Sequence, residues 1–293
     1  MPDAQPSGEP ASPEWVGRYL ALLGIDHPAP SLEALARLTR AQVCTIPFTS
    51  VPAILRRRAH PAGPVPPADP DALLESWERR RGGGVCFELA EMFGRLLVAL
   101  GYRAYSVLAQ VSFPGSHQAV MVQLDGKNYL SEVSNGAPFF EPIPLDRAVE
   151  IRRVGLVYRF RPGETAGSWV QERLIKGAWE LFCRYDLRPP DSREREGAYQ
   201  RHHTPGESWV VDDLRLVQCR EDAVLALRNG RLTRFTPEGK DDEAVTAEAY
   251  ARVAAEVFGM PGLPVAAAVE ALTERALASA AGGRSGRTAP TRP

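Results

Sequence analysis

Residues 79–101 read RRRGGGVCFELAEMFGRLLVALG, and the rest of the sequence is best interpreted from this stretch. Three consecutive glycines allow a tight backbone turn. Directly after them, apolar residues recur with the spacing of an α-helix, at Cys86, Leu89, Ala90, Phe93, Leu96, Leu97 and Leu100. Gly101 follows as a C-terminal cap. The pattern predicts a helix that begins at Cys86.

A cysteine at a helix N-terminus is a candidate nucleophile, because unpaired amide N–H groups and the helix dipole stabilise a thiolate there. The alternative interpretation of Cys86 is a small hydrophobic residue in a buried first turn, since free cysteines are among the most buried residue types. A catalytic interpretation therefore requires partner residues elsewhere in the sequence.

Composition excludes several classes of protein. The 293 residues are enough for roughly two domains and a large core. Hydrophobic residues make up 44% and charged residues 24%, as in ordinary globular proteins. With 35 basic and 36 acidic residues the formal net charge is −1, so no overall field attracts nucleic acid or an anionic membrane. We expect neither as a partner.

The cysteines and the N-terminus indicate the cellular setting. The four cysteines, Cys44, Cys86, Cys183 and Cys219, form no C-x-x-C pair and have no matching histidines, which argues against a zinc site and a disulfide framework. No metal is expected. Residues 1–13 are polar and proline-rich, so they predict a disordered segment rather than a signal peptide, and no run of about 18 apolar residues occurs. The prediction is a cytoplasmic protein.

Residues 14–101 predict a helical domain that carries the candidate nucleophile. Helices are expected from Glu14 to Gly24, after the capping residue Ser31, and just ahead of the glycine turn. Pro47 ends the second of these helices and projects Phe48 from the bend. Phe48 is either a core residue or part of a pocket wall.

Beyond Gly101 the pattern alternates, and residues 102–188 predict a β-barrel domain. Short strands are expected at residues 107–113, 118–124, 127–133, near 143, at 151–158 and at 179–185. Residues 189–208 are charged and predict an exposed connection, in which His202 and His203 are solvated rather than ligating.

The C-terminal part, residues 209–279, predicts an α/β unit. Strands are expected at residues 209–219, 223–227 and 232–235, followed by helices at 247–259 and 265–277. The remaining residues, 280–293, are small and basic and predict a disordered tail.

A base for Cys86 can be sought among the five histidines, and only His117 opens a strand in an apolar context. Asp125-Gly126 predicts a two-residue hairpin loop, and counting back from it places Ala119 opposite Glu132. His117 and Glu132 are then diagonal neighbours on one face, with Cα atoms about 7–8 Å apart. A carboxylate at this distance can orient the imidazole.

Two alternatives to this base and orienter pair stay open. A four-residue loop would move Glu132 opposite Met121 and break the contact. His117 and Glu132 could also be ordinary polar residues on the solvated face of a hairpin. The chain order of cysteine, histidine and carboxylate favours the catalytic interpretation, and this order is shared by many cysteine enzymes.

At these residues the sequence resembles the arylamine N-acetyltransferase family. The family signature has arginine, two glycines, any residue, cysteine, an aromatic residue, glutamate and leucine, and residues 82–89 are similar to it. Further matches follow in chain order, at residues 46–48, at His117, at 129–136 and at 225–232. The resemblance extends from about Trp15 to Gly259.

The resemblance implies an α+β fold with an N-terminal helical bundle, a central antiparallel β-barrel and a C-terminal α/β lid, around a cysteine-protease-like core. It also implies a ping-pong reaction. Cys86, activated by His117 and Glu132, would take an acyl group from acetyl-CoA or another acyl-CoA and pass it to a small-molecule amine such as an arylamine or hydrazine. Attack of a thiolate on a thioester is nearly isoenergetic and divides the transfer into two easier steps.

The same resemblance implies further site residues. Phe48 would line the acceptor pocket, and four residues would border the acyl-CoA, namely Ser116, Ser134, Asn135 and Gly136. Several positions depart from the family pattern and indicate a divergent member: Gly82 replaces arginine, Ala90 asparagine and Glu132 aspartate, and Ser134 and Asn135 occupy a glycine-phenylalanine-glycine turn.

Three other functions remain open from the sequence. An amide synthase would use the same chemistry with an acyl group from a carrier-protein thioester. A cysteine hydrolase of protease or transglutaminase type would share the order of cysteine, histidine and carboxylate but release its acyl-enzyme to water. A binding or scaffold protein would keep the fold without the activity.

Overall fold

The computed structural model describes residues 13–282, and side chains as far as residue 277. The segment predicted to be disordered at the N-terminus therefore lies outside the described residues, except for Pro13. The last helix continues to Gly282 and so enters the segment that was predicted to be a disordered tail. Alanines dominate this extension, and alanine has the highest helix propensity. The other tail residues, 283–293, are not described.

Helices form the first part of the chain, at Glu14–Leu23 (α1), Leu32–Thr45 (α2), Val51–Ala59 (α3), Pro70–Glu78 (α4) and Cys86–Ala99 (α5), with the short strand Phe48–Thr49 (β1) before α3. Ser31 caps α2 as predicted, because its side chain accepts from the Ala34 N–H. α3 was not predicted. It has a proline in its first turn, which is compatible with a helix start, and it buries Val51 and Ile54.

The helix that begins at Cys86 ends as the sequence predicts. Gly101 has φ of 89°, a conformation that favours glycine. Its N–H donates to the Val98 carbonyl at 3.0 Å, and the Tyr102 N–H donates to the Leu97 carbonyl at 2.9 Å. These two bonds are the pair that closes a Schellman cap.

A nearly closed barrel of eight antiparallel strands follows. Its strands are Arg103–Gln110 (β2), His117–Leu124 (β3), Lys127–Ser131 (β4), Ile143–Pro144 (β5), Val149–Arg153 (β6), Leu156–Pro162 (β7), Ser168–Ile175 (β8) and Ala178–Asp186 (β9). Neighbouring strands are hydrogen-bonded in the order β5-β4-β3-β2-β9-β8-β7-β6. The run predicted as one strand at 151–158 is two strands, because Val154 and Gly155 both have positive φ and form a turn. β8 was not predicted.

The hairpin between β3 and β4 has the predicted register. Leu124 pairs with Lys127 across a loop formed by Asp125 and Gly126 alone. Both loop residues have positive φ, at 50° and 71°, as a tight hairpin turn requires. The four-residue loop is therefore excluded.

After the barrel come Ser192–His202 (α6), Trp209–Asp212 (α7), Arg215–Cys219 (β10), Val224–Arg228 (β11), Arg231–Thr236 (β12), Gly239–Ala244 (β13), a 3₁₀ turn at Ala247–Ala249, Tyr250–Glu256 (α8) and Val265–Gly282 (α9). The last four strands form a second antiparallel sheet, which β1 joins at the β10 edge. β13 was not predicted, since all six of its residues are exposed and it lacks apolar alternation.

Two predictions for this region were wrong. Residues 209–219 are not one strand, because Ser208 caps the short helix α7 before β10 begins. Residues 189–208 are not an exposed connection, since α6 occupies the segment and buries Ala198, Tyr199 and His202 on one side. Ala198 packs so close to Gly115 that a Cβ at Gly115 would lie 2.9 Å from the Ala198 Cβ. The small residues at this contact allow a charged helix to dock on the barrel.

Candidate active site

The glycine turn positions Cys86 by a close approach of two backbone segments. A Cβ at Gly83 would lie 1.6 Å from the Pro47 carbonyl oxygen, so only glycine fits without a shift of the backbone. The Thr49 N–H donates to the Gly84 carbonyl at 3.0 Å, and the Trp77 indole N–H donates to the Gly83 carbonyl at 3.0 Å. The turn is thus held from both sides directly before the first residue of α5.

A buried carboxylate completes the start of α5. Glu88 accepts a hydrogen bond from the Val85 N–H at 2.7 Å, which satisfies one of the amides that a helix start leaves open. Its other oxygen pairs with Arg56 of α3. Valine has no side-chain acceptor, so the reciprocal half of a capping box is absent at Val85.

The predicted contact between His117 and Glu132 is present. Glu132 Oε2 lies 2.9 Å from His117 Nε2 and also accepts from the Tyr185 hydroxyl at 2.7 Å. Glu132 Oε1 accepts from the Ser134 N–H at 3.2 Å. Glu132 is fully buried and His117 is 4% exposed, so neither group is the solvated hairpin residue of the alternative interpretation.

These contacts decide the charge of the pair. Burial alone would lower the pKa of His117, but the Glu132 carboxylate and the Cys86 side chain raise it to about 10. Burial would raise the pKa of Glu132, but His117, Tyr185 and Ser134 together hold it below its ordinary value. At neutral pH the pair is therefore an imidazolium and a carboxylate.

Cys86 lies close enough to this pair for its side chain to raise the pKa of His117. The Nε2 atom of His117 is bonded to Glu132, so Nδ1 is the ring nitrogen left for the cysteine, and the thiol interacts with this imidazole. Cys86 is 3% exposed, at the first residue of α5. A thiolate beside an imidazolium at a helix N-terminus is the arrangement in which cysteine is a strong nucleophile.

A second histidine that the sequence analysis missed also reaches the cysteine. His202 Nε2, at the end of α6, lies 3.8 Å from Cys86 Sγ. His202 is 1% exposed and His203 is fully buried, so the prediction that both are solvated was wrong. α6 carries almost no apolar periodicity, but Asp191 and Glu194 form a capping box, and this spacing is the local signal for the helix start.

The helix α6 and the proline-rich loop of residues 60–69 together cover Cys86. Gln200 exchanges two hydrogen bonds with the backbone of Val65, at 2.8 and 2.9 Å, and the Tyr199 hydroxyl donates to the Pro66 carbonyl at 3.0 Å. The Val65 and Tyr199 side chains belong to the small apolar cluster around Cys86. The cover explains why the sulfur is shielded from solvent.

The residues predicted to border an acyl-CoA differ in their availability. The Ser116 hydroxyl accepts from three backbone N–H groups, of Val111, Ser112 and Phe113. The Ser134 hydroxyl lies between the Gln118 carbonyl, at 2.6 Å, and Glu132. Both serines are buried, whereas Asn135 and Gly136 are half-buried. Phe48 is 7% exposed and packs on the Trp209 ring at a centroid distance of 5.9 Å.

Within residues 13–282, no helix is long and apolar enough to cross a membrane. The same part of the chain contains no group of three or more histidine, cysteine, aspartate or glutamate side chains that could hold a metal ion.

Comparison with solved structures gives the class of the fold. The arylamine N-acetyltransferase from Mycobacterium abscessus superposes with a TM-score of 0.76 at 24% identity, over 89% of this chain and 94% of that one. The arylamine N-acetyltransferase from Nocardia farcinica superposes with a TM-score of 0.75 at 25% identity, over 88% and 93%. The fold is that of arylamine N-acetyltransferases, with their cysteine-protease-like core.

Sequence comparison then gives the family. The N-acetyltransferase family model matches residues 31–264. The chain is 25% identical over 217 residues to the arylamine N-acetyltransferase / N-hydroxyarylamine O-acetyltransferase of Salmonella typhimurium, covering 70% of this chain and 73% of that one. It is 29% identical over 167 residues to proansamycin X synthase of Amycolatopsis mediterranei, covering 54% and 62%. The chain belongs to the N-acetyltransferase family, and it is an acyl-transferring enzyme.

Proposed function

We propose that this enzyme moves an acetyl or other acyl group from a CoA thioester to the nitrogen of an arylamine or hydrazine, through a thioester on Cys86. The observation that carries the proposal is the interaction of Cys86 with the buried ion pair of His117 and Glu132, at the N-terminus of α5. An imidazolium and a helix N-terminus are the two features that stabilise the thiolate form of a cysteine beside them.

In the first half-reaction the Cys86 thiolate attacks the thioester carbon. The bond from that carbon to the CoA sulfur breaks, and the CoA thiolate takes the proton from His117 Nδ1. In the second half-reaction the amine nitrogen attacks the Cys86 thioester, neutral His117 accepts the proton of the amine, and Cys86 leaves as a thiolate. Glu132 holds Nε2 throughout, so the imidazole keeps its orientation.

The cover over Cys86 favours transfer over hydrolysis. Cys86 is 3% exposed, so an acyl group on it has little access to water, and three hydrogen bonds join α6 to the 60–69 loop that covers it. An acyl-enzyme protected in this way survives until an amine arrives. A cysteine hydrolase would need a water path to the same carbon.

Substrate contacts are assigned to fewer residues than the sequence resemblance implied. The Ser116 and Ser134 hydroxyls are bonded within the protein, and so is the Asn135 side-chain amide, which donates to Gln171 and accepts from the Ala137 N–H. We therefore assign contacts with the acyl-CoA to the half-buried backbone of Asn135 and Gly136. Phe48 is assigned to the wall of the acceptor pocket, where its Trp209 partner stabilises the ring position.

A second candidate is an amide synthase that takes its acyl group from a carrier-protein thioester. The altered turn at Ser134 and Asn135 favours it, and the similarity to a relative that is named as a synthase, proansamycin X synthase, agrees with a biosynthetic role. The Cys86 chemistry would be unchanged, and only the donor would differ.

Mass spectrometry of the protein after incubation with acetyl-CoA, without an amine, tests the proposal. We expect one acetyl group on Cys86 in the wild type and in Cys44→Ala, and none in Cys86→Ala. Adding an arylhydrazine should then remove the group and yield the acetylhydrazide. An adduct that persists in Cys86→Ala would disprove the nucleophile. Acylation by a carrier-protein thioester but not by acetyl-CoA would select the second candidate.

A further inference from the structure

Two imidazoles from unrelated parts of the chain face one sulfur. His117 is the first residue of β3, and His202 is the last residue of α6, 85 positions further on in the printed sequence. The His202 Nε2 atom lies 3.8 Å from Cys86 Sγ, within the range of a hydrogen bond to sulfur, and the Ser116 carbonyl oxygen lies 4.0 Å from the same sulfur. The His202 ring also packs on Phe87, at a centroid distance of 5.0 Å.

The surroundings of the His202 ring indicate which nitrogen carries the proton. Nδ1 is buried and has no hydrogen-bond partner among the described residues. A buried N–H without an acceptor is rarer and costlier than a bare acceptor, so a proton on Nδ1 is disfavoured. Nε2 faces both the Cys86 sulfur and the Ser116 carbonyl oxygen, and a proton on Nε2 is shared between these two acceptors. The favoured tautomer is the one with Nε2–H.

Burial and basic neighbours keep this second imidazole neutral. Burial and three basic groups lower the pKa of His202 well below its ordinary value, and these groups are His203 beside it, His117 of β3 and Arg56 of α3. Glu88 of α5 pairs with Arg56 and raises the pKa of His203, against the effect of burial. Cys86 of α5 faces the His202 ring through its sulfur.

We propose that His202 is a second catalytic histidine, which donates an Nε2–H hydrogen bond to the Cys86 sulfur and stabilises it as the thiolate. This inference rests on the proposed role of Cys86 as nucleophile. His202 keeps its proton in both half-reactions, so the exchange of protons between His117, the CoA sulfur and the amine is unchanged. Its contribution is largest where negative charge is on sulfur, before acylation and as Cys86 leaves.

The test is a titration of the Cys86 thiolate by its ultraviolet absorbance, with Cys86→Ala subtracted and with no acyl donor present. In His202→Met, which fills the space without an N–H, we expect the titration midpoint to rise by about one pH unit. In His202→Gln, which can place an N–H near the position of Nε2, the midpoint should stay close to the wild type.

A role as cover alone gives a different result. Removing a cover would speed alkylation of Cys86 at every pH and leave the midpoint unchanged, whereas loss of the hydrogen bond raises the midpoint and slows alkylation at pH values near it. An unchanged or lowered midpoint in His202→Met would overturn the proposal.

A second measurement uses the wild-type protein, so it still tests the proposal if the His202 variants do not fold. Nitrogen NMR of the histidine-labelled wild type should show His202 as the Nε2–H tautomer, and a proton on Nδ1 would overturn the proposal. Neither measurement uses an acyl group. Failure of Cys86 to become acylated would thus refute the proposed function while the state of His202 is read independently.

Discussion

Two buried pairs of side chains lie beside Cys86, His117 with Glu132 and His202 with His203. They differ in how many of their polar atoms have hydrogen-bond partners. In the pair of His117 and Glu132, both carboxylate oxygens and the ring nitrogen between the two residues are hydrogen-bonded. In the pair of His202 and His203, one ring nitrogen of each residue is buried without a partner among the described residues.

The two pairs also differ in charge. Burial acts in the same direction on all three histidines and lowers their pKa values. For His117 the adjacent carboxylate more than offsets it, and for His202 the basic neighbours add to it. The comparison teaches that, when two imidazoles are equally buried, their partners decide which of them is charged. One sulfur can therefore face a charged and a neutral imidazole at the same pH.

The largest loss of activity is expected from Glu132→Gln. The amide keeps the size of the side chain but removes the charge that holds His117 as an imidazolium, so kcat/KM should fall on the order of 10³-fold. Steady-state kinetics with acetyl-CoA and an arylhydrazine measure it. The control is Glu172→Gln, another buried carboxylate of the barrel, whose partners Arg159 and Arg161 lie outside the site. Equal values of kcat/KM for Glu132→Gln and the wild type would contradict a role of the Glu132 charge in catalysis, and His117 would then need a charged partner no more than His202 does.

The same variant should show a pH-dependent loss of stability. Breaking a buried ion pair costs about 3 kcal/mol in the free energy of unfolding. The contribution of His117 is complete below its ordinary pKa of 6.5 and is lost as pH rises through about 10. The contribution of Glu132 is complete above 4.5 and is lost as pH falls through its lowered pKa. The difference from wild type should thus be largest between about pH 4.5 and 6.5 and narrow towards pH 10.

Urea unfolding at a series of pH values measures this difference. Glu172→Gln is again the matched control, because its arginine partners stay charged up to pH 10 and its deficit should not narrow. A deficit of Glu132→Gln that is constant with pH would contradict the charged state of the His117 pair.

A smaller loss of stability is expected from a change in the glycine turn, which sets the position of the Cys86 sulfur between the two pairs. Gly83→Ala places a methyl group against the Pro47 carbonyl, so the glycine turn must shift, at a cost of about 2 kcal/mol in stability. Gly17→Ala is the control, since Gly17 lies in α1 with open space around its Cβ position and should gain stability, by about 1 kcal/mol. Thermal unfolding measures both. Gly83→Ala as stable as the wild type would show that the turn tolerates a side chain.

Much of the fold was predictable because it depends on short-range patterns. The spacing of apolar residues predicted α5, and Asp125-Gly126 predicted the register of β3 and β4. The register in turn predicted the contact between His117 and Glu132. These features were accessible because a helix period, a turn type and a count across a hairpin involve neighbouring residues.

The missed features depend on distant contacts. α6 is charged along most of its length, and it docks because Ala198 meets Gly115 and because Gln200 and Tyr199 bond to the backbone of a loop far away in sequence. β13 is a strand because it pairs with β12, although all its side chains are exposed. Neither contact leaves an apolar period in its own segment.

By itself, the sequence determined the helix start at Cys86 and the hairpin that brings His117 to Glu132, because local backbone chemistry is sufficient for both. It also carried the motifs of the family to which the chain belongs. Only the tertiary structure decided that His202 lies next to the Cys86 sulfur, in a region that is shielded from solvent. That position is created by packing of α6 on the barrel and the 60–69 loop, and burial then makes the imidazole neutral.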